Sequence, residues 1–284
     1  MALGAHFIGY LRFVFPFYSG VLLLYVCRQN RIGQHMNFDL LVDFHKPNPR
    51  QGPGSNAATR RALDLTGLTT SNDTLAVADL GCGTGASTLV LADALNAKIT
   101  AVDLFDDFLA VLADRAATAG VSDKIECLAG SMDDLPFAPQ SLDLIWSEGA
   151  IYNIGFAKGI DLWRPLLKTG GVLAVSEITW LGHERPQELT DYWTSQYPEI
   201  AKASEKIALL EQQGFQMLGY FPLDIACWMD EYYSPMQANF DAFLHKHSSQ
   251  DAHDIVAAER SEIDLYTRNS AHFSYGFYIA QRVD

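Results

Sequence analysis

The sequence predicts an α/β fold in which a mostly parallel sheet of seven strands is covered by helices. Three observations carry this. A short apolar run ending in Asp79–Leu80 leads into glycines at alternate positions, Gly81, Gly83 and Gly85, and then into a segment with Leu89, Ala92 and Leu95 at helical spacing. Further apolar runs of strand length recur down the chain with helical patterns between them, the alternation expected of parallel sheets. Hydrophobic residues make up 49% of the 284 and charged residues 19%, which permits a large core and argues against general disorder.

Strand, glycine turn and helix together form a nucleotide-binding crossover. The glycines permit tight turning and let backbone approach a ligand, and the helix opens with N–H groups free to face it. The spacing Gly81-x-Gly83-x-x-Ala86 satisfies the dinucleotide fingerprint, and Asp103 lies near the distance expected of a ribose-binding acid. Spacing alone therefore leaves NAD and S-adenosylmethionine both open. Asp79 separates them: a carboxylate beside the turn would repel a pyrophosphate, whereas it suits the ammonium and sulfonium of S-adenosylmethionine.

The run Asp79-Leu-Gly-Cys-Gly-Thr-Gly85 closely resembles the first motif of class I S-adenosylmethionine-dependent methyltransferases. The resemblance implies a Rossmann-like sheet with an antiparallel last strand, S-adenosyl-L-methionine as cofactor, and methyl transfer by in-line displacement. It covers roughly residues 56–281. Within it, residues 130–137 and 146–154 look like the bacterial small-molecule branch related to ubiquinone-biosynthesis and sterol-type methyltransferases. An Asn-Pro-Pro-Tyr-type motif, found in many methylases of DNA or protein glutamine, is replaced after the fourth strand by Ser147-Glu-Gly-Ala150.

A formal charge of −14 argues against broad attraction to nucleic acid or anionic lipid and favours a small-molecule partner. Four scattered cysteines form no CxxC pair and no metal-ligand spacing, as expected of reduced thiols in a cytoplasmic protein. No metal is expected. Residues 1–35 differ from the rest: positions 13–27 carry no charge between Arg12 and Arg28, short of the ~20 residues a spanning helix needs, and Pro16 and Gly20 interrupt them. No small-x-small cleavage site follows. The preferred reading is an apolar extension before Met36, or a loosely membrane-associating one, ahead of a domain over 36–284.

Residues 50–55 are turn-rich, and Ser55 is the expected N-cap of a helix through Leu65 that could cover the cofactor pocket. A second strand, 98–103, ends in Asp103, placed to accept hydrogen bonds from ribose hydroxyls. A third, 124–129, is followed by Met132 and Asp133, where the resemblance implies an acid meeting the adenine amino group; the competing reading is a plain turn cap. The fourth, 141–148, delivers Ser147 and Glu148 to the sheet's carboxyl edge, where ligands bind. Residues 166–177 read as a helix end, a double-glycine turn and a fifth strand. Strands at 215–221 and 273–282 complete seven.

The cofactor-binding set is therefore Asp79, Gly81, Gly83, Gly85, Asp103, Met132, Asp133 and Ser147. Glu148 is the candidate general base or ammonium-binding carboxylate, against a structural sheet-end acid, and Tyr152 is the candidate for orienting the nucleophile. Two aromatic-rich insertions, 179–198 and 228–266, form caps, either as ring faces around a cationic acceptor or as packed core. His45 and His183 have no partners at metal-binding spacing and read as surface residues. The resulting expectation is methyl transfer to nitrogen or oxygen of a small acceptor. An NAD-dependent oxidoreductase and a non-catalytic cofactor-binding protein are the alternatives, and oligomeric state, homodimer included, stays open.

Overall fold

The computed structural model describes residues 38–284, so the apolar extension and Met36 lie outside the described residues. Among the described residues two helices precede the sheet, α1 (Phe38–His45) and α2 (Asn56–Leu65). Ser55 caps α2 as its residue type favours, its Oγ accepting the Ala58 N–H at 3.0 Å. The first half of the sheet domain follows as β1 (Leu75–Leu80), α3 (Ala86–Ala94), β2 (Ala97–Asp103), α4 (Asp106–Ala119) and β3 (Ile125–Ala129). The second half runs β4 (Leu142–Glu148), α5 (Phe156–Trp163), β5 (Leu167–Trp180), α6 (Gln187–Gln196), β6 (Ala201–Lys202), α7 (Ala203–Gln212) and β7 (Phe215–Pro222). Helices α8 (Ile225–Trp228), α9 (Ser234–Ala238), α10 (Phe240–Lys246) and α11 (Gln250–Asn269) then lead to β8 (Phe273–Arg282). A π-helical turn over Met229–Tyr233 joins α8 to α9.

The strand order is β3-β2-β1-β4-β5-β8-β7, and β8 runs antiparallel to both of its neighbours. β1 to β5 pair in parallel. The sheet has eight strands rather than the seven expected, because β6 pairs alongside Thr179–Trp180. Two residues are too few to show a strand's periodicity. A second difference lies in β5, which already begins at Leu167 and carries Gly170 and Gly171 inside it. Gly170 has φ +80° and the pairing with β4 shifts register beside it, so the glycines make an irregularity within the strand and not a turn before it.

Alternate side chains of the central strands enter different cores. Leu144, Trp146, Val172 and Ala174 join the cluster beneath α2, α3 and the cap, whereas Ile145, Leu173 and Val175 pack with α5 and α7 on the other face. The tryptophans of the two insertions belong to the first core: Trp228 stacks on Tyr266 with centroids 4.3 Å apart and donates its indole N–H to Ser274 at 2.9 Å. For these rings the packed-core reading of the aromatic insertions holds. Successive strands are added on opposite sides of the β1–β4 pair, so the switch point lies between β1 and β4 and a crevice opens at their carboxyl ends. Among the described residues no helix is long and apolar enough to cross a membrane, and no group of three or more His, Cys, Asp or Glu is placed to hold a metal.

Candidate functional site

At that crevice a cleft of about 1070 Å³, open mouth included, runs from the glycine turn to the loop after β4. Gly81, Gly83, Asp103, Met132, Tyr152, Asn153 and His45 are among its lining residues. Apolar side chains of α1, the β2–α4 loop and the start of α4, including Leu41, Phe105 and Phe108, form much of the wall. Among the described residues no Lys or Arg lines the cleft.

The glycine turn is built by backbone that side-chain-bearing residues avoid. Gly81 has φ +73°, and a Cβ there would stand 2.4 Å from Ala150 Cβ and 2.9 Å from Met132 Cε. Gly85, at φ +85°, has a different task, since a Cβ would fall 2.1 Å from Leu112 Cδ1 in α4. It lies off the cleft lining and allows α3 and α4 to approach. Cys82 packs with Ala101, Leu109 and Leu112.

Two carboxylates flank the turn. Asp103, at the end of β2, lines the cleft and accepts the Gly83 N–H at 2.8 Å and the Phe105 N–H at 3.1 Å. Burial raises its carboxyl above the usual range, and these backbone donors oppose the rise. Asp79 lies beneath the turn, fully buried and outside the lining; its Oδ2 accepts Ser87 at 2.9 Å and Thr88 at 2.7 Å. Its Oδ1 is buried without a hydrogen-bond partner, and burial pushes the carboxyl up to about 7. A pyrophosphate at this turn would face Asp103 with Asp79 buried beneath and no lining Lys or Arg among the described residues, whereas a cationic ligand would suit both acids.

Of the other expected residues, Met132 reaches the cleft. Asp133 stands behind it, accepting from Ser131 and from Lys158 Nζ at 3.0 Å. Ser147 is wholly buried and gives its hydroxyl to the Leu80 carbonyl at 2.8 Å, tying β4 to β1 instead of facing the cleft. Tyr152 does face it, and burial pushes its phenol well above the ordinary value.

Glu148 is engaged on every side. Oε1 accepts Thr59 Oγ1 at 2.7 Å and Trp146 Nε1 at 3.1 Å, and Oε2 accepts Arg50 Nη1 at 3.1 Å. It is absent from the cleft lining, so the geometry corresponds to the structural sheet-end acid and not to a base poised beside an acceptor. The Arg50 pair anchors the 46–55 segment, which Gln51 and Arg115 clamp further. Gln51 Oε1 accepts the Thr84 N–H at 2.9 Å and the Thr84 hydroxyl at 2.8 Å, while Arg115 Nη1 donates to that hydroxyl and to the Pro49 carbonyl. The pocket is thus covered by α1 and this loop, with α2 behind them.

His45 corrects the sequence reading most sharply. It is 7% exposed, it lines the cleft, and neither ring nitrogen makes a hydrogen bond. Burial holds its imidazole down at about 4, so the ring is neutral at pH 7. The signal that could have found it is the apolar spacing of Leu41, Phe44 and His45, which puts the histidine on the buried side of α1.

Residues 77–171 match a family model described as a methyltransferase domain. Erythromycin 3''-O-methyltransferase of Saccharopolyspora erythraea is 33% identical over 115 residues, covering 39% of this chain and 37% of that protein. The chain spans about a third of the length of the first curated relatives it matches. A solved S-adenosylmethionine-dependent methyltransferase from Geobacter sulfurreducens, in complex with S-adenosyl-L-homocysteine, superposes with a TM-score of 0.68 at 18% identity, covering 91% of this chain and 96% of that one. The [4+2]-cyclase SpnF superposes at 0.66 with 20% identity over 86% of this chain and 93% of its own. These likenesses establish the fold.

Proposed function

We propose that this chain, a class I S-adenosylmethionine-dependent methyltransferase by domain and fold, moves a methyl group from S-adenosylmethionine to nitrogen or oxygen of a small-molecule acceptor. The observation that carries the reading is the pair of carboxylates, Asp103 on the cleft lining and Asp79 buried beneath the glycine turn, with no Lys or Arg of the described residues on that lining. That charge pattern suits a sulfonium nucleotide and opposes NAD.

Asp103 is the acceptor for ribose hydroxyls, and the backbone at Gly81 and Gly83 takes the close approach of the ligand. Met132 and Phe105 offer apolar faces to a base, with Ser131 beside Met132 on the lining and Asp133 behind it. Asp79 contributes negative charge beneath the turn. When bound, the cofactor supplies a methyl group on a positively charged sulfur. The chain's own task is then alignment, and well-oriented reactants reach effective molarities of ~10⁵ M or more. Tyr152 and Asn153 stand at the acceptor end, while α1 and the 46–55 loop exclude water. Glu148 is assigned to holding that loop.

The acidic net charge and the mainly apolar cleft favour a small acceptor over nucleic acid. The test is a labelled-methyl transfer screen of amines, phenols and carboxylic acids beside RNA, DNA and protein. Label in at least one small-molecule class is expected. Label confined to macromolecules contradicts the small-molecule assignment.

A further inference from the structure

Three polar side chains on the cleft lining are already engaged by the protein. Gln51 donates to the His45 and Asn48 carbonyls and accepts from Thr84, and Ser131 donates to Asp133. Asp103 accepts two backbone N–H groups and is the one carboxylate on the lining among the described residues. Three other side-chain atoms of the lining are buried and, among the described residues, make no hydrogen bond: both ring nitrogens of His45 and Asn153 Oδ1. His45 is 7% exposed; Asn153 is half-buried and gives its amide N–H to the Ala150 carbonyl at 3.0 Å.

A buried polar atom without a partner is costly, and a ligand that brings the missing partner removes the cost. Asn153 Oδ1 can only accept, and a neutral imidazole has one accepting nitrogen, so the missing partners include polar hydrogens. Glu259, 1% exposed on α11, places Oε1 3.9 Å from His45 Nε2. That is too far for a hydrogen bond but near enough to stabilise positive charge on the ring. A ligand ammonium would find an uncharged ring here and no lining carboxylate besides Asp103, which is assigned to ribose. A neutral hydroxyl supplies a polar hydrogen without needing a counter-charge, and the apolar wall accepts an aromatic ring.

We propose that His45 is a catalytic residue of this cleft, the proton acceptor for methyl transfer to a phenol that carries a second polar hydrogen for Asn153 Oδ1. A phenol gives up its proton far more readily than an alkyl alcohol, which brings it within reach of an imidazole base. The accepting His45 nitrogen takes the phenol proton as an oxygen lone pair forms the bond to the methyl carbon. The carbon–sulfur bond breaks with its electron pair staying on sulfur. The positive charge that began on sulfur thus ends on the His45 ring, beside Glu259, and the ring proton then leaves to water. This inference rests on the methyl-donor reading of the cleft.

The test is calorimetry on the full chain saturated with S-adenosylhomocysteine, using catechol, resorcinol, toluene and benzylamine, followed by labelled-methyl transfer to the two dihydroxybenzenes. At least one dihydroxybenzene should bind about tenfold or more tightly than toluene and than benzylamine, and should accept the label. His45→Phe, which keeps a ring of similar size, should cut that preference about fivefold or more and lower kcat about a hundredfold, the scale of a lost general base. Should His45→Phe fail to fold, Asn153→Ala, at a half-buried position, should still weaken the dihydroxybenzene about threefold or more. Dihydroxybenzenes that bind no better than toluene or benzylamine, that accept no label, or that turn over unchanged in His45→Phe overturn the assignment and leave the methyl-donor reading standing. Absence of S-adenosylhomocysteine binding overturns both.

Discussion

Arg50 and Glu148, 98 positions apart in sequence, meet as an ion pair of 3.1 Å with both side chains less than a tenth exposed. Taking one partner from a buried pair leaves the other charge uncompensated and costs about 3–5 kcal/mol. Glu148→Gln should therefore lower stability by about that amount and loosen the loop over the cofactor cleft. Urea denaturation and cofactor titration of the same variant check this. Unchanged stability with turnover alone lost would return Glu148 to a role as base.

Asp103→Ala should fold and bind S-adenosylhomocysteine more weakly. Losing charge-assisted bonds costs about 1.5–3 kcal/mol each, or roughly tenfold to 150-fold in dissociation constant, before water recovers part. Titration of the folded variant measures it, and an unchanged constant removes Asp103 from the site.

Gly85→Ala forces a Cβ onto Leu112 at a left-handed backbone position. The expected loss is about 2–4 kcal/mol, from the backbone conformation and overpacking together. Because the clash is with one side chain, the Gly85→Ala/Leu112→Ala double variant should be more stable than the two separate losses added together predict. Additive losses would mean that Gly85 does not serve the α3–α4 contact.

The fold was largely legible because its signals are local. The β1 run, the glycine turn, the Ser55 cap and the β8 run each state their structure within about ten residues, and each matches the observed element. The two-residue β6 and the glycines inside β5 were not legible, since pairing with a neighbouring strand defines both. Of the expected site residues, Gly81, Gly83 and Asp103 lie on the cleft lining, where local backbone chemistry puts them. Surroundings set by long-range contacts were not legible. For Glu148 the sequence left base and structural acid both open, because Arg50, Thr59 and Trp146 close on it only in three dimensions. His45 looked like a surface residue because Glu259, 214 positions onward by number, is what it faces.

Buried Asp79 makes a pH signature. Its pKa is about 7 when folded against a reference of 3.8, so between those values the folded state holds a proton that the unfolded state has lost. Stability contributed by the protonated acid is then complete below about pH 4 and falls as pH rises to about 7. Subtracting the Asp79→Asn stability profile from that of the wild type should give this decline. His45 acts in the opposite sense: held at about 4 against a reference of 6.5, it costs stability as pH falls through that window. The same subtraction with His45→Gln should rise with pH there. Flat differences would show that neither group is desolvated as described.

The central claim is that the Asp79–glycine turn–Asp103 arrangement holds a sulfonium nucleotide. Parallel isothermal titration of the unliganded chain with S-adenosylmethionine, S-adenosylhomocysteine and NAD addresses it most directly. The account predicts saturable binding of the first two and none of NAD, since a pyrophosphate would meet Asp103 on the lining, Asp79 beneath the turn and no lining Lys or Arg among the described residues. NAD binding more tightly than S-adenosylhomocysteine would contradict it.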